Sequence, residues 1–558
     1  MHPNTGKNIV VALFLLSCGV CQRTGGSVYR SSIVDRSIRL VVRGDQGRIR
    51  DVAVVLFEQA RLPSGYHQLD RDSGGVLSVA MKRPEFSAKE GALATLYPKP
   101  SGRSGARDRL FVLGLGKPKG AVAEAMRIGM AKLFRAAQAA GVTRLSLRLV
   151  AGLAGCLDAE SAGRAVADGL SIANFTFDTF KGAASGAQPT GKRKRSGLAL
   201  DVEAEVRSAL RRGLVIGESV NTARRLAATP PNVANPAYLV RHCRALSRRV
   251  GLRCTVIDVH KAGRLKMGGL LAVGRAGSTP PALICLEHRP PRARSQPVLL
   301  VGKAVTFDTG GYSIKTGPGM EDMKYDKCGG MAVIGAMCAI ARLKLPVPVV
   351  ALVAAAENMV DQKAFRPGDI LSMHNGVTVE VTNTDAEGRL VLGDALAYGS
   401  KRFRPQAVID LATLTGGVVV ALGSRCAGMF CNQVDLQHRL LEAGRYSGER
   451  LWCLPLWPEH RQQLKGTHGD ILNSAGREAH PIQGAAFLSH FVDAASPTAF
   501  PKTPWAHLDI AGVSDVKASD NPLYGKGPTG FGVRLLVRTI ETWSGRSKVA
   551  PAACIGPG

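Results

Sequence analysis

The sequence predicts an α/β protein of two domains: a smaller N-terminal α/β domain and a larger C-terminal α/β/α domain on a mixed sheet. Three observations carry that expectation. The chain has 558 residues, too many for one small core. Strand-like apolar runs alternate with helix-periodic runs along most of its length. A stretch rich in Gly, Ala, Ser and Pro, ending in the basic cluster Lys192–Arg195, interrupts that alternation. The expected divisions are an extension over residues 1–36, an N-terminal domain with its basic linker over 37–200, and the C-terminal domain over 201–548.

Taken in order, the extension holds a short apolar run, Ile9–Leu16, after Lys7. It is too short to span a bilayer and suits the core of a secretory signal, although one lysine is a thin lead and no A-x-A site follows. A mis-called start or an unstructured extension is the alternative. In the N-terminal domain, strand-like alternation from Ser37 leads into the buried strand Val52–Phe57, and Leu110–Gly116 forms a second. The Gly114-x-Gly116 ending looks like a phosphate-binding turn only superficially. The third glycine, Gly120, comes one place late and no acidic residue is well placed downstream, so a strand-to-helix turn is expected. Val122–Ala140 reads as an amphipathic helix and Leu145–Leu153 as a strand. Asp201–Leu226 has long helical periodicity that would bridge the domains, stopped by the proline-rich Thr229–Pro236. Further strands are expected at Cys254–Val259, Ala282–Glu287, Val298–Val301, Val349–Ala355, Val377–Thr382 and Ala407–Leu411. Continuous apolar runs suit strands covered on both faces, and ligand sites gather at the carboxyl ends of such strands.

Hydrophobic content of 45% with 21% charged residues is ordinary for a globular protein. The net charge is not: 73 Lys+Arg against 43 Asp+Glu leave +30. Such a field favours nucleic acid, acidic lipid or anionic substrates, with solvated arginine-rich faces as the plain alternative. The twelve cysteines are scattered. Cys18 and Cys21 form a lone C-x-x-C, weak as a zinc signal, while Cys156, Cys285 and Cys338 read as buried free thiols.

Chemistry concentrates in a few stretches. Asn383–Leu390 carries Asp385, Glu387 and Arg389 at alternate positions, between a strand-like run and the helix-like Leu390–Tyr398. In an extended segment these three would share one face; alone, a surface salt-bridge trio is the plainer reading. Upstream, Val298–Val301 runs into Gly302–Gly311 with Lys303 and Asp308, then Lys315, then Met320–Asp326. Asp308, Asp326, Asp385 and Glu387 are candidate ligands, with Lys303 and Lys315 as amines among them. Packed carboxylates repel unless a cation neutralises them, and oxygen donors from several segments suit two divalent ions. The set lacks His and Cys, unlike a structural zinc site. One lysine could ligate while the other stays a cation facing substrate. His374 is near in sequence, but His-Asn-Gly reads as a hairpin turn.

Gly302–Gly311 and Asn383–Leu390 resemble the two signatures of the leucyl aminopeptidase family, dinuclear cytosolic aminopeptidases. Met323–Asp326, Arg366–Asp369, Asp410–Gly416 and Trp505–Gly512 match in order and spacing, and the resemblance spans roughly residues 37–545. It implies two divalent ions per subunit, Mn2+ or Zn2+. Lys303, Asp308, Asp326 and Glu387 would hold the tighter ion, and Asp308, Asp385 and Glu387 the exchangeable one. Lys315 would polarise the scissile carbonyl, and Arg389 would hold a bicarbonate that relays a proton. Gly388 and Leu414 would help place that anion and the substrate, while Met323, Thr413 and Gly416 line the pocket for the first side chain. The implied activity is release of N-terminal residues, preferably leucine and other apolar ones, from peptides by a cytoplasmic homohexamer with no membrane-spanning segment. Export is the alternative location if Ile9–Leu16 is a signal, and narrow dipeptide turnover such as Cys-Gly is a rival activity. DNA binding, which some bacterial members of the family show, is a further role that the net charge of +30 makes physically reasonable. The sequence departs from the family pattern at Ala304 and Thr309, and at Lys327–Met331, which replaces an apolar, alanine-rich run behind Asp326. The basic charge and the extension are not family traits.

Overall fold

The computed structural model describes residues 38–40, 49–58, 61–84, 86, 88–98, 108–118, 121–153, 155–185, 197–291, 293–493, 500–517 and 521–543. The Ile9–Leu16 run, Cys18, Cys21, Gly120 and the Lys192–Arg195 cluster lie outside them.

In the N-terminal domain β1 (Ile38–Leu40), β2 (Asp51–Leu56), β3 (Leu93–Leu96), β4 (Arg109–Gly114), β5 (Arg144–Arg148) and β6 (Leu198–Val202) form one sheet, ordered β1-β6-β5-β2-β4-β3. Only β3 runs antiparallel to its neighbour. Every residue of β2 is buried, because α1 (Val122–Ala139) and α2 (Ala159–Ala173) cover one face and a second cluster around Tyr66 and Leu77 covers the other. Two boundaries differ from expectation. The Leu145–Leu153 run is a strand only to Arg148; Val150–Leu153 turns helical. Gly152 makes that turn possible, since a Cβ there would lie 2.0 Å from the Val55 carbonyl oxygen. Asp201 and Val202 belong to β6, not to the following helix: the Asp201 carboxylate accepts hydrogen bonds from Ser146 and Arg148 on β5, at 3.1 and 2.9 Å. Cys285 and Cys338 are buried free thiols, whereas Cys156 is only partly buried.

The bridging helix α3 (Ala204–Ala228) packs against α2 on one side and the catalytic domain on the other, and ends at Thr229 as the prolines begin. A buried ion network ties the domains. Arg127 on α1 and Arg534 both donate to Asp168 on α2, at 3.1 and 3.3 Å, and Arg534 also donates to Glu449.

After α4 (Pro236–Val250) come β7 (Arg253–Ile257), β8 (Ala282–His288) and β9 (Val298–Asp308), then α5 (Cys328–Arg342) and β10 (Val349–Asn358). The hairpin β11 (Ile370–Ser372) and β12 (Thr378–Glu380) leads to α6 (Glu387–Phe403) and β13 (Ala407–Ala412). The chain closes with α7 (Gly416–Leu422), β14 (Ala427–Cys431), β15 (Leu451–Cys453), β16 (Ile471–Leu472), α8 (His480–Leu488), β17 (Trp505–Asp509) and α9 (Val533–Glu541). Eight strands make a mixed sheet ordered β15-β14-β17-β13-β9-β10-β8-β7, with β10, β9, β13 and β17 parallel at its centre. Helices on both faces give two separate apolar cores, the α/β/α sandwich the composition of the strands predicts.

Here too the structure corrects single elements. β9 runs on to Asp308, seven residues past the apolar run, because β10 pairs with it along that whole length, while β13 pairs on the other side only as far as Gly302. Gly302 inside it is a site of close approach: a Cβ would sit 2.6 Å from the Gly330 Cα on α5. Gly329 and Gly330 therefore let α5 lie directly on β9 and β13, which accounts for glycine where alanine-rich sequence was expected. The Val377–Thr382 strand is shorter, Thr378–Glu380, and pairs in a small sheet with β11 and β16 rather than in the main one. The His374-Asn-Gly turn joins β11 to β12 as a hairpin, as expected. Among the described residues no helix is long and apolar enough to cross a membrane.

Candidate active site

The carboxyl ends of the central parallel strands converge on one opening. Asp308 ends β9, Asn358 ends β10, Thr413 follows β13 and Asp509 ends β17. A cavity of about 840 Å3 opens there, lined by Lys303, Asp308, Lys315, Met323, Asp326, Asp385, Glu387, Thr413, Leu414 and Gly416 among others. Ten of the residues singled out in the sequence thus share one wall system. Gly388 and Arg389 stand just behind it.

Local hydrogen bonds explain how distant segments hold this register. Asn358 Nδ2 donates to Asp308 Oδ1 at 2.8 Å and to the Thr384 carbonyl at 3.1 Å, joining β10, β9 and the Asn383–Leu390 stretch. The Thr384 hydroxyl donates to the Gly310 carbonyl and accepts from the Ser313 N–H, both at 2.7 Å, so the loop after β9 is pinned and Lys315 is carried to Asp385. The Asp385 N–H donates to Asn383 Oδ1 at 2.8 Å, turning the chain into α6. The expectation that Asp385, Glu387 and Arg389 share one extended face is therefore corrected: α6 begins at Glu387, and its first turn carries Glu387 and Arg389. A carboxylate is well placed there against the positive end of the helix dipole.

One oxygen from each of Asp308, Asp385 and Glu387 lies within 4.8 Å of the others. Lys303 Nζ is 2.8 Å from Asp326 Oδ1, 2.8 Å from Glu387 Oε1 and 3.0 Å from the Thr413 carbonyl oxygen. Lys315 Nζ is 2.8 Å from Asp308 Oδ2 and also pairs with Asp385. Burial, and then the Asp308 charge, pushes the Glu387 carboxyl up to about 8; burial first pushes Asp326 up to about 6. Burial works to lower both lysines, yet the surrounding carboxylates more than offset it and raise them. Asp326 Oδ2 is buried without a hydrogen-bond partner. Asp308, Asp385 and Glu387 packed this closely, with Asp326 beside Lys303 and its Oδ2 unsatisfied, are a donor set that fits divalent cations.

Arg389 is fully buried; Nη1 donates to the Asn473 carbonyl at 2.7 Å while Nε has no partner, and burial lowers its pKa to about 10. Gly388 lies against Lys303, and the Leu414 N–H donates to Asp509 Oδ1 at 3.1 Å. At the departure Lys327, Nζ is buried and donates to the Thr229 carbonyl at 3.2 Å and to Lys324 O, with burial lowering its pKa to about 8.

Sequence reasoning missed His480. Its side chain lines both the main cavity and a neighbouring one of about 770 Å3, which Asn383, Asp385, Val420, Arg477 and Ile482 also line. Burial, and then Arg389, lowers its pKa to about 4, so it stands neutral. It lies 91 residues beyond Arg389 at the first position of the short helix α8, where no period or motif marks it.

The fold and this donor set define a class, an α/β enzyme that uses divalent cations, and comparison with known proteins narrows it. Residues 221–537 match the cytosol aminopeptidase family catalytic domain and residues 53–183 match its N-terminal domain. A probable cytosol aminopeptidase of Syntrophotalea carbinolica is 41% identical over 476 residues, 85% of this chain and 93% of that relative. One from Azoarcus sp. is 39% identical over 498 residues, 88% of this chain and 95% of that protein. The solved structure of the bottromycin maturation enzyme BotP in complex with Mn is similar with a TM-score of 0.75 and 32% identity, covering 89% of this chain and 100% of that one. The chain belongs to the cytosol aminopeptidase family, and its activity is that of a metal-dependent aminopeptidase, a hydrolase of peptides.

Proposed function

We propose that this protein releases N-terminal residues from peptides, leucine and other apolar ones first, with two divalent ions, Mn2+ or Zn2+, per subunit. The observation that carries the reading is the convergence of Asp308, Asp385 and Glu387 within 4.8 Å, with Lys303 and Lys315 inserted among them. Lys303, Asp308, Asp326 and Glu387 would hold one ion, and Asp308, Asp385 and Glu387 the other. Such ions, when bound, supply a shared water whose pKa is lowered towards neutrality.

The two lysines differ in a way that supports separate roles. The Lys303 side chain is 3% exposed, closed in by Asp326, Glu387 and Thr413; that of Lys315 is 23% exposed on the cavity wall. Lys315 therefore meets the scissile carbonyl and stabilises the oxyanion as charge develops there. Arg389, with a buried Nε free to donate, would hold a bicarbonate as proton carrier, placed with Gly388 and Leu414. Met323, Thr413 and Gly416 would receive the first side chain; at Gly416 even an added Cβ would meet nothing within 4 Å, so there is room. The leaving side of the peptide would pass His480.

The test is hydrolysis of leucine p-nitroanilide with Mn2+ or Zn2+ supplied. Wild-type protein should turn over, and Lys315→Ala or Glu387→Ala should lose the activity while staying folded; intact activity in either refutes the mechanism. Dipeptides compared with longer peptides separate general aminopeptidase action from Cys-Gly turnover. We also propose a cytoplasmic homohexamer, which sedimentation analysis would check. A second reading, nucleic-acid binding alongside the peptidase activity, is favoured by the net charge of +30.

A further inference from the structure

The cavity of about 770 Å3 beside the carboxylate cluster shares Asp385 and His480 with the main one. Val420 on α7, Leu454 and Ile482 on α8 give it an apolar wall. The two helices meet closely there: a Cβ on Gly417 would lie 2.8 Å from Pro481 Cδ. With His480 neutral, the charged side chains lining this cavity are Asp385 and Arg477. Asp385 belongs to the proposed metal donor set, which leaves Arg477 as the charge the cavity offers to a ligand. Arg477 is exposed and makes no hydrogen bond or ion pair among the described residues, although Glu478 follows it in the chain. The loop that carries it is nevertheless fixed. Gln483, 1% exposed, accepts the Ala475 N–H on Oε1 at 3.1 Å and donates from Nε2 to the Glu478 carbonyl at 2.5 Å, so one buried amide clamps the chain on both sides of Arg477. Just upstream, the Ser474 carbonyl accepts from the Thr382 hydroxyl at 2.6 Å and the Asn473 carbonyl from Arg389 at 2.7 Å, which ties the loop to the stretch that supplies Asp385 and Glu387.

An unpaired guanidinium on a fixed loop suits one ligand chemistry above others. Its planar fork of N–H donors meets both oxygens of a carboxylate at once, and the clamped backbone leaves only the side chain to be ordered on binding. The aminopeptidase reading, on which this inference rests, puts the first residue of a peptide in the main cavity and the residues after the scissile bond in the second. We propose that Arg477 recognises a carboxylate on that leaving part, which makes peptides bearing one the preferred substrates of this enzyme. The carboxylate has two possible sources, the free carboxyl end of a short peptide or the side chain of an acidic residue. A basic residue at the same place meets like charge and is disfavoured. Arg477 stands away from the carboxylate cluster where the bond is cut, so its contact is as strong in the ground state as in the transition state. The preference therefore falls on KM, with kcat little changed.

The experiment follows leucine release by the full chain with Mn2+ from three pairs of peptides. Leu-Glu-Ala-amide against Leu-Gln-Ala-amide and Leu-Ala-Glu-amide against Leu-Ala-Gln-amide isolate a side-chain carboxylate in second or third position. Leu-Ala-Ala against Leu-Ala-Ala-amide isolates a carboxyl end. An exposed ion pair is worth up to about fivefold in binding, so wild-type kcat/KM should favour the carboxylate member of at least one pair by about that factor, through KM. The pair that responds identifies the source. At 1 M KCl, where the screening length falls to about 3 Å, the ratio should shrink towards one. Arg477→Gln should bring it to about one at low salt, and Arg477→Glu should carry it below one. Because each ratio is taken within one protein sample, a general loss of folding or metal cancels from it. Ratios of one in all three pairs for the wild type, or a preference that survives Arg477→Gln, overturn the inference while the release of leucine leaves the aminopeptidase reading standing. No leucine from any peptide and no hydrolysis of leucine p-nitroanilide overturn that reading and this inference with it.

Discussion

Gly388→Ala is the most exacting test of the proposed site, because the substitution adds one carbon and no charge. The new Cβ would lie 2.6 Å from both Nζ and Cε of Lys303 and 2.9 Å from its Cδ. Ordinary contact begins near 3.4 Å, so the end of Lys303 must move by about 0.8 Å, the difference between 3.4 and 2.6. A flexible lysine would do so freely on a surface. This one is 3% exposed, and its Nζ is held at 2.8 Å by Asp326, 2.8 Å by Glu387 and 3.0 Å by the Thr413 carbonyl. The shift therefore displaces a group at the centre of the carboxylate cluster. Overpacking costs about 1–3 kcal/mol, partly offset by about 0.5–1 kcal/mol from replacing glycine inside a helix. Folding should survive. Function should not, since a misplacement of about 1 Å in such a site costs about 100-fold in rate. The assay is kcat/KM on leucine p-nitroanilide with metal content measured on the same sample and circular dichroism as the fold check. Gly416→Ala is the matched control, because a Cβ there meets nothing within 4 Å and should alter KM for bulky first residues alone. A Gly388→Ala protein that keeps full metal content and kcat/KM within threefold of wild type would refute the assigned role of Lys303.

Three further outcomes follow. Asp394, wholly buried on α6, accepts the Leu270 N–H on Oδ2 and the His374 N–H on Oδ1, both at 2.8 Å; Asp394→Asn leaves one donor facing an amide N–H and should lower the urea-unfolding free energy by about 1–3 kcal/mol. His490 is pushed down to about 3 by burial and then Arg461, and His242 to about 4 by burial and then Arg249 and Arg225. From about 6.5 down to those values the unfolded chain binds more protons than the folded one, so stability is full above about 6.5 and falls as pH drops through the window. His490→Gln should flatten the decline of the urea midpoint between pH 7 and 5; an unchanged slope counts against it. Removal of metal by chelation should abolish leucine anilide hydrolysis and lower Tm, and restoring Mn2+ at 100 times its Kd should return about 2.7 kcal/mol.

How much of this was legible before folding depends on where each signal resides. Lys303, Asp308, Asp385 and Glu387 crowd into two short stretches, so a candidate donor set shows in the residue types, while the role of each residue rests on the family resemblance. The central strands were legible as apolar runs, since burial on both faces leaves little room for polar residues. Strand ends were not. β9 passes through Gly302, Lys303, Thr306 and Asp308, which resemble a loop until the pairing with β10 is known. The alternation in Asn383–Leu390 was misleading for a related reason: Asn383 turns the chain into α6 through its own side chain, a choice that period-two reasoning does not see. His480 carried no local signal at all. It reaches the site because α8 packs beside α6, a tertiary fact.

The position of His480 also changes what the buried arginine must accomplish. The family resemblance implied a bicarbonate on Arg389 as proton carrier, with no histidine among the site residues. The structure sets a neutral imidazole within the electrostatic reach of Arg389, on the wall shared by the two cavities. Neutrality follows from two causes that reinforce each other, burial and the adjacent guanidinium, so the ring presents one acceptor nitrogen near neutral pH. A neutral imidazole beside a cation does not compete with Arg389 for an anion; it leaves the guanidinium Nε available and adds a hydrogen-bonding group towards the second cavity. That cavity joins the apolar side chains of Val420 and Ile482 to the exposed Arg477. The first cavity has four carboxylates at its inner end. In the proposed site the amino end of a peptide would lie at the carboxylate cluster and its ions, and the chain would continue past Asp385 towards the exposed Arg477.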